Sequence, residues 1–387
     1  MADPTVWDLL ERHLGRAAEL RRLLHSEPDL SGDESMTRDR VLQALPGNQT
    51  PTKVAETGAV LRLGGPGRSI GIRGEMDALP VGERTGVAWA SRHEGTMHAC
   101  GHDLHLAALV AVAWAVHEAG GTVPLLVVLQ PREETYPSGA KDIAEHGILQ
   151  AEECAAMIGA HIQPSLPPGV VACVPGGVNA SSDEFEIRVH GASGHAAYPH
   201  LSCDPLLALS EIVVALQSVV SRSVDPMSAA VVGVSSFSSG QAANVIPGLA
   251  RATGTIRALG PDTRTLLRNR IVTVAQHVAR AHGCEAEVTI TDGEPVLEND
   301  PELVRAISAH LTDQGMGLST TLRSLGSDDF SFFSERMPSA MMFVGSETNE
   351  PLHSPSFLPT DGDLHLTARA MLAGYLGAAD LLIGLGH

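Results

Sequence analysis

The chain has 387 residues, 43% hydrophobic and 18% charged, an ordinary globular make-up that is too long for a single compact core. Its 45 acidic against 26 basic residues leave a formal net charge of −19, a sign that repels a phosphate backbone and an anionic membrane leaflet. With 3% aromatic content there is little material for stacking on bases, so neither nucleic acid nor membrane is the expected partner.

The N-terminal stretch "MADPTVWDLLERHLGRAAEL" has aspartates where a secretory signal would carry basic residues. It predicts an amphipathic helix opening after Pro4 and no targeting peptide. From about residue 54 short apolar runs alternate with helical patterns. "SIGIRGEMDAL" leads through a loop to "LHLAALVAVAWAVHEAG", where Leu106, Leu109, Val110, Ala113 and Trp114 fall on one helical face and Gly120-Gly121 ends the helix. The charge-free apolar run inside it, Leu106 to Val116, is 11 residues, short of the roughly 18 to 20 a membrane span needs. "TVPLLVVLQ", the helical "GAKDIAEHGIL" and "AAMIGA" follow. Continuous apolar strands between helices predict a mostly parallel sheet flanked by helices on both faces.

The pattern changes after "VPGGVNASS". "DEFEIRVHG" alternates as a half-exposed strand, "DPLLALSEIVVALQSVVSR" is helical, "AAVVGVSSF" and "LARATGTIRAL" are strands, "DTRTLLRNRIVTVAQHVARAHG" is helical and "EAEVTITDG" is a strand. That order is β-α-β-β-α-β, the ferredoxin-like arrangement. "DPELVRAISAHLTDQG", "SAMMFVG" and "LTARAMLAGYLGAADLLI" then resume the earlier style. The expected organisation is one α/β domain from residues 1–179 and 292–387, interrupted by a small domain at 180–291. Five scattered cysteines, Cys100, Cys154, Cys173, Cys203 and Cys284, suit free thiols in a reducing compartment, so the cytoplasm is expected.

Polar residues fall where the apolar runs end. Glu75 and Asp77 close "GIRGEMDAL", Glu133 and Glu134 follow "PLLVVLQPR", His161 ends "AAMIGAH", His353 lies in the loop after "SAMMFVG", and Cys100 and His102 precede a helix in "MHACGHDLH". Ligands bind at the carboxyl ends of strands in open α/β sheets, so these groups can converge on one edge. Thiolate, imidazole and carboxylate suit zinc and its first-row neighbours, and so many donors suit two ions better than one tetrahedral ion. Of the adjacent Glu133 and Glu134, one can hold metal while the other faces a water as general base. Taken singly each group has a blander reading: a polar turn, a charge pair at a helix start, a core histidine. Cys100 as a nucleophile, with His102 or His105 as its base, also remains open, although it leaves the glutamate pair and His353 without a role.

The ordered motifs "MDALP", "MHACGHD", "LQPREE", "GAH", "SGHAAYPH", "ANVIPG", "GTIRAL", "GSDDF" and "LHSPSF", with "LHSEPDLSGDE" near the N-terminus, resemble those of the N-acyl amino acid amidohydrolases. These include hippurate hydrolases and indoleacetyl-amino acid hydrolases, within the wider di-metal aminoacylase and carboxypeptidase G group. The resemblance covers nearly the whole chain. It implies a di-zinc exopeptidase-like catalytic domain with an inserted lid and dimerisation domain, acting as a homodimer or a dimer-based oligomer. Cys100, His102, Glu134, His161 and His353 would ligate two divalent ions (zinc, manganese, cobalt or nickel), with Cys100 in the bridging position. Glu133 would be the catalytic base and Asp77 would orient a ligand from behind. His195 would reach an active site, that of a partner subunit, to stabilise the oxyanion, while Asn244 and Arg257 bind the substrate carboxylate. Two departures bear on the cleft: Glu75 stands where the resembled motif has aspartate, and Thr135-Tyr136-Pro137 replace a glycine-rich stretch.

The expected reaction is hydrolysis of the amide bond of a small-molecule N-acyl amino acid. A dipeptidase or carboxypeptidase using the same two ions is the alternative within the class. A non-catalytic, metal-dependent binding protein is the alternative outside it, opposed by the intact Glu133 and Glu134. Asp103 is expected to support the site or cap the helix, and His98 and His105 to line it.

Overall fold

The computed structural model describes residues 5–121 and 123–384, so residues 1–4, ahead of the expected first helix, and Thr122 at the head of "TVPLLVVLQ" lie outside it. The chain divides into two compact units. One comprises the described residues up to Gly176, Glu298–Leu322 and those from Phe332 onward; the other comprises Gly177–Leu297 and Arg323–Ser331.

The larger unit is built on an eight-stranded sheet. Its order is Thr52–Val54, Gly58–Leu63, Leu125–Gln130, Ser69–Glu75, Cys154–Gln163, Ser339–Gly345, Val170–Ala172 and Gly317–Ser319. The four central strands, from Leu125–Gln130 to Ser339–Gly345, are mutually parallel. Three of them, Ser69–Glu75, Leu125–Gln130 and Ser339–Gly345, are buried at every residue, as strands covered on both faces must be. Register pairs Glu75 with Gln130 and His161 with Phe343, so the segments after all four strands leave from one edge.

Helices Val6–Ser26, His102–Glu118 and Asp361–Gly384 share a core with the sheet. The first opens on Thr5, whose side chain accepts from the Asp8 amide while Asp8 accepts from the Thr5 amide, two otherwise unpaired donors satisfied at once. His102–Glu118 ends as its glycines predict. Gly120 is left-handed at φ +63, its amide donates to His117 O, and the Gly121 amide donates to Val116 O at 3.1 Å. At its other end Gly101 is the N-cap, at φ +84. Asp103 therefore sits inside the first turn and is not the cap.

The smaller unit holds a four-stranded antiparallel sheet in the order Ala230–Ser239, Leu249–Ala258, Ser181–His190 and Glu285–Thr291. Helices Pro205–Ser223 and Pro261–Ala281 pack into its core, completing a β-α-β-β-α-β unit with the strand order of a ferredoxin-like fold. Arg323–Ser331 also belongs here, although the sequence reading assigns 292–387 wholly to the larger part. Backbone pairing explains the difference: the Ala180 amide donates to Ser324 O and Gly326 O, and the Ser324 amide donates to Val178 O.

Among the described residues two helices, Pro205–Ser223 and Asp361–Gly384, are long and apolar enough to cross a membrane by length and composition. They are longer apolar segments than the 11-residue run considered in the sequence. Asp361–Gly384 is nevertheless a core helix, with Leu364, Ala368, Met371, Leu372 and Tyr375 buried. It crosses Pro301–Asp313 at Gly377, where an added methyl would lie 2.7 Å from the Ile307 amide nitrogen and 3.0 Å from Ala306 C.

Gly377→Ala should therefore destabilise the protein by about 1–3 kcal/mol, even though alanine favours a helix by up to about 1 kcal/mol. Denaturant unfolding reads the change; an unchanged or raised midpoint would show that the two helices separate without cost.

Candidate active site

Two histidines at the sheet edge are held by backbone carbonyls. His102 Nδ1 donates to Asp77 O at 2.8 Å, and His161 Nδ1 donates to Ile162 O at 2.7 Å. With Nδ1 committed, each ring turns Nε2 outward. His102 Nε2 is buried and has no hydrogen-bond partner, and His161 Nε2 lies 3.4 Å from Cys100 Sγ. Cys100, His102 and Glu134 each bring a donor atom to within 4.8 Å of the others. Glu134 Oε1 lies 3.3 Å from His353 Nε2, and the His353 amide donates to Ala99 O at 2.8 Å, which ties the last histidine to the segment of Cys100. Glu133 Oε2 stands 3.9 Å from His102 Nε2. The structure thus gathers all six of these sequence-predicted residues on one edge.

The glutamates sit on a tightly restrained loop. Arg132, immediately before them, is left-handed at φ +50, a conformation that costs free energy unless its surroundings impose it. Here they do: its amide donates to the buried Glu34 carboxylate at 2.9 Å, its Nε to Pro137 O at 3.0 Å and its Nη1 to Glu56 at 2.9 Å. Asp77 closes the arrangement from behind, its Oδ2 accepting from the Glu134 amide at 2.9 Å and from the Ser31 hydroxyl at 2.7 Å. Ser31 lies in the "LHSEPDLSGDE" stretch, and nothing local in the sequence signals this role.

Charge favours a cation in this pocket. Burial and the Glu134 charge hold the Cys100 thiol well above its ordinary range, the opposite of what an activated nucleophile needs. His105, one of its two candidate bases, is fully occupied: Nε2 accepts the Ile162 amide at 3.0 Å and Nδ1 donates to Glu75 at 3.2 Å. Burial opposes a charge on His102, but its interactions with Asp77, Cys100 and the nearby carboxylates outweigh it and hold its pKa well above 6.5. The same field that draws a proton to Nε2 draws a divalent cation there, and such an ion deprotonates a coordinating thiol outright. Thiol, imidazole and carboxylate donors in this geometry fit zinc or a neighbouring first-row ion.

A Glu75 carboxylate oxygen lies within 4.8 Å of ring nitrogens of His102, His105 and His161, and it takes its hydrogen bond from His105 Nδ1 at 3.2 Å. Burial raises the Glu75 pKa, but Arg73 and then His105 more than offset this and keep it ionised. His98 is fully buried with both ring nitrogens unpartnered, and burial pushes its pKa down to about 4, so it is a neutral packing residue. Asp103 accepts from Arg21 Nε at 3.3 Å and His25 Nδ1 at 3.0 Å, while His25 Nε2 reaches Glu83 at 3.2 Å. This charged network under the site is absent from the sequence reading, because its members lie up to 82 residues apart.

The other three expected site residues belong to the smaller unit. Gly194–His195 pairs with Val245–Ile246, which sets Asn244 beside His195; the Ala196 amide donates to Asn244 O at 3.1 Å. His195 is exposed, and its Nδ1 accepts the Ala197 amide at 3.1 Å, which leaves Nε2 as the nitrogen that can donate. Arg257 lies on the Leu249–Ala258 strand with Nη1 on Ser327 Oγ at 3.1 Å.

A thiol, imidazoles and paired carboxylates at the carboxyl edge of a parallel sheet define a metal-dependent hydrolase. Residues 71–373 match Peptidase family M20/M25/M40, and the chain belongs to that family, whose members hydrolyse amide bonds. It is 32% identical over 366 residues to an N-acetyldiaminopimelate deacetylase of Ligilactobacillus salivarius, covering 92% of this chain and 95% of the relative. It is likewise 32% identical over 362 residues to an N-acetyl-L-cysteine deacetylase of Bacillus subtilis, covering 92% and 86%. Among solved structures, the Bacillus subtilis YXEP protein, a dinuclear metal binding peptidase from the M20 family, superposes with a TM-score of 0.84 at 28% identity, covering 96% of this chain and 99% of that one. The donor cluster is consistent with two metal ions.

The buried network gives a pH signature. Burial lowers the His25 pKa, but Asp103 and Glu83 outweigh it and raise it to about 9. A raised folded-state pKa contributes stability that is fully present below the unfolded value of about 6.5 and is lost as pH rises through 9. His25→Gln should therefore lag the parent most at pH 6, by on the order of 3 kcal/mol, with the gap narrowing toward pH 9.5. Denaturant melts at both pH values test this, and a constant gap would mean that His25 is not the charged partner.

Proposed function

We propose that the protein hydrolyses the amide bond of N-acyl amino acids to a carboxylate and a free amino acid. Cys100, His102, Glu134, His161 and His353 would ligate two divalent ions, Cys100 between them, and Asp77 would hold the loop behind. The observation that carries this reading is the commitment of both His102 Nδ1 and His161 Nδ1 to carbonyls, which aims two imidazole lone pairs at the space beside Cys100 and Glu134. When bound, the ions supply Lewis acidity to the substrate carbonyl and make water acidic near neutral pH.

The side chains then divide the work. Glu133, near the ligands and only partly exposed, takes a proton from the attacking water and returns it to the departing nitrogen. His195, through Nε2, donates to the oxyanion of a partner subunit's substrate, a contribution of about 2.7–4 kcal/mol for such a donor. Asn244 and the Arg257 fork take the substrate carboxylate. The deacetylase relatives make N-acetyl amino acids the first substrates to try, and a dipeptide would meet the same carboxylate contacts. Pairing of two copies is supported by the edge strand Ala230–Ser239, which carries no charged residue and exposes Val231 and Phe237, an edge that another chain can cover. Five free cysteines support a cytoplasmic setting.

Glu133→Gln should keep two equivalents of metal while kcat on acetyl- and benzoyl-amino acids falls by about 10²–10⁴-fold. Near-parental turnover would remove Glu133 from its role. Chelation should abolish hydrolysis, with recovery on adding zinc, manganese, cobalt or nickel; metal-loaded protein that binds these amides but cleaves none would mark a binding protein instead. Cys100→Ser should lower metal content and activity together, and full retention of both would refute the bridging thiolate.

A further inference from the structure

Beneath the donor cluster lies a quartet of charged side chains, Arg21, Asp103, His25 and Glu83, each with a side chain no more than 5% exposed. Its formal charges cancel when His25 is protonated, which is what lets it persist away from water. Asp103 Oδ2 is the shared acceptor, taking Arg21 Nε at 3.3 Å and His25 Nδ1 at 3.0 Å. The Trp89 ring packs against both cations, at 4.8 Å from the His25 ring and 5.4 Å from the Arg21 guanidinium.

What the quartet joins gives it a use. Asp103 follows His102 directly in the first turn of its helix, a turn whose Gly101 cap offers no side-chain hydrogen bond. Arg21 Nη2 also donates to Pro359 O at 2.6 Å, and the Arg84 amide, next to Glu83, donates to Pro355 O at 2.8 Å. Pro355 and Pro359 are on the segment that follows His353. His353 itself is left-handed at φ +67 and its side chain is half-exposed, so its position depends on how that segment is tethered. The same charged node thus grips the residue after one histidine and the chain after the other, 251 residues apart by their numbers, 353 less 102.

We propose that Arg21, Asp103, His25 and Glu83 are positioning residues that set the placement of His102 relative to His353 and thereby the affinity of the site for its ions. The inference rests on these two histidines being ligands. Groups that orient metal ligands typically alter metal affinity by about 10–100-fold when removed. An amide at position 103 keeps the shape and loses the charge that holds both cations.

The test is zinc affinity of the full-length protein by competition with a chromophoric chelator, beside near-UV circular dichroism for folding. Asp103→Asn is expected to bind zinc about 10-fold or more weakly while remaining folded. Arg21→Lys, which keeps the charge but loses the fork that spans Asp103 and Pro359, should show a smaller loss. Gly377→Ala serves as the control for general destabilisation, since it loosens a helix crossing in the same unit and should leave zinc affinity as in the parent. Parental zinc affinity in folded Asp103→Asn, or an equal loss in Gly377→Ala, would overturn the proposal. His102→Ala and His353→Ala report separately on the underlying reading: if both keep parental zinc affinity, the ligand assignment itself fails.

Discussion

The site depends on one constraint: four parallel strands must deliver their carboxyl ends to a single edge. A parallel sheet buried on both faces has nowhere else to place polar groups, so Asp77, the Arg132–Glu134 turn, His161 and the His353 segment emerge side by side. The backbone at those ends also does chemical duty. The carbonyls of Asp77 and Ile162 receive the Nδ1 protons of His102 and His161, which settles the tautomer of both rings and the direction of their lone pairs.

Buried charge is managed in layers behind that edge. Asp77 takes the Glu134 amide and the Ser31 hydroxyl; Glu75 is matched by Arg73 and His105; Asp103 is matched by Arg21 and His25. Each carboxylate is ionised at a cost in solvation that only a close cation or several donors can offset. The candidate donor groups are the exception. His102 Nε2 and Cys100 Sγ are buried, the thiol held protonated by burial and the Glu134 charge, and this imbalance is what a pair of cations corrects. The cluster is thus strained in charge rather than in packing, which ties metal binding to the stability of this part of the fold.

Much of this was legible from residue order. The alternation of apolar runs with helical periodicity identified the central strands, and the β-α-β-β-α-β order identified the small unit, since both signals arise from burial of one face at a fixed repeat. The candidate ligands were legible because Glu134 and His161 fall at or just beyond the ends of apolar runs, His353 in the loop after one, and Cys100 and His102 just before a helix. Arg323–Ser331 was misplaced because its attachment to the small unit is a matter of backbone hydrogen bonds to Val178 and Ala180, which leave no mark on side-chain pattern. The helix cap fell to Gly101 rather than Asp103 because the aspartate is drawn inward by two cations from a helix some eighty residues earlier.

What the sequence determined by itself is the inventory: which runs are strands, which residues with ligand chemistry end them, and the family whose ordered motifs they match. What only the tertiary structure decided is the state and orientation of those groups. That His105 is spent on Ile162 and Glu75, that His161 instead presents Nε2 to Cys100, and that His195 is left with Nε2 to donate follow from hydrogen bonds between segments distant along the chain or from the local path of the backbone. A histidine's role is set by which of its nitrogens is occupied, and that is a property of neighbours in space, not of neighbours in sequence.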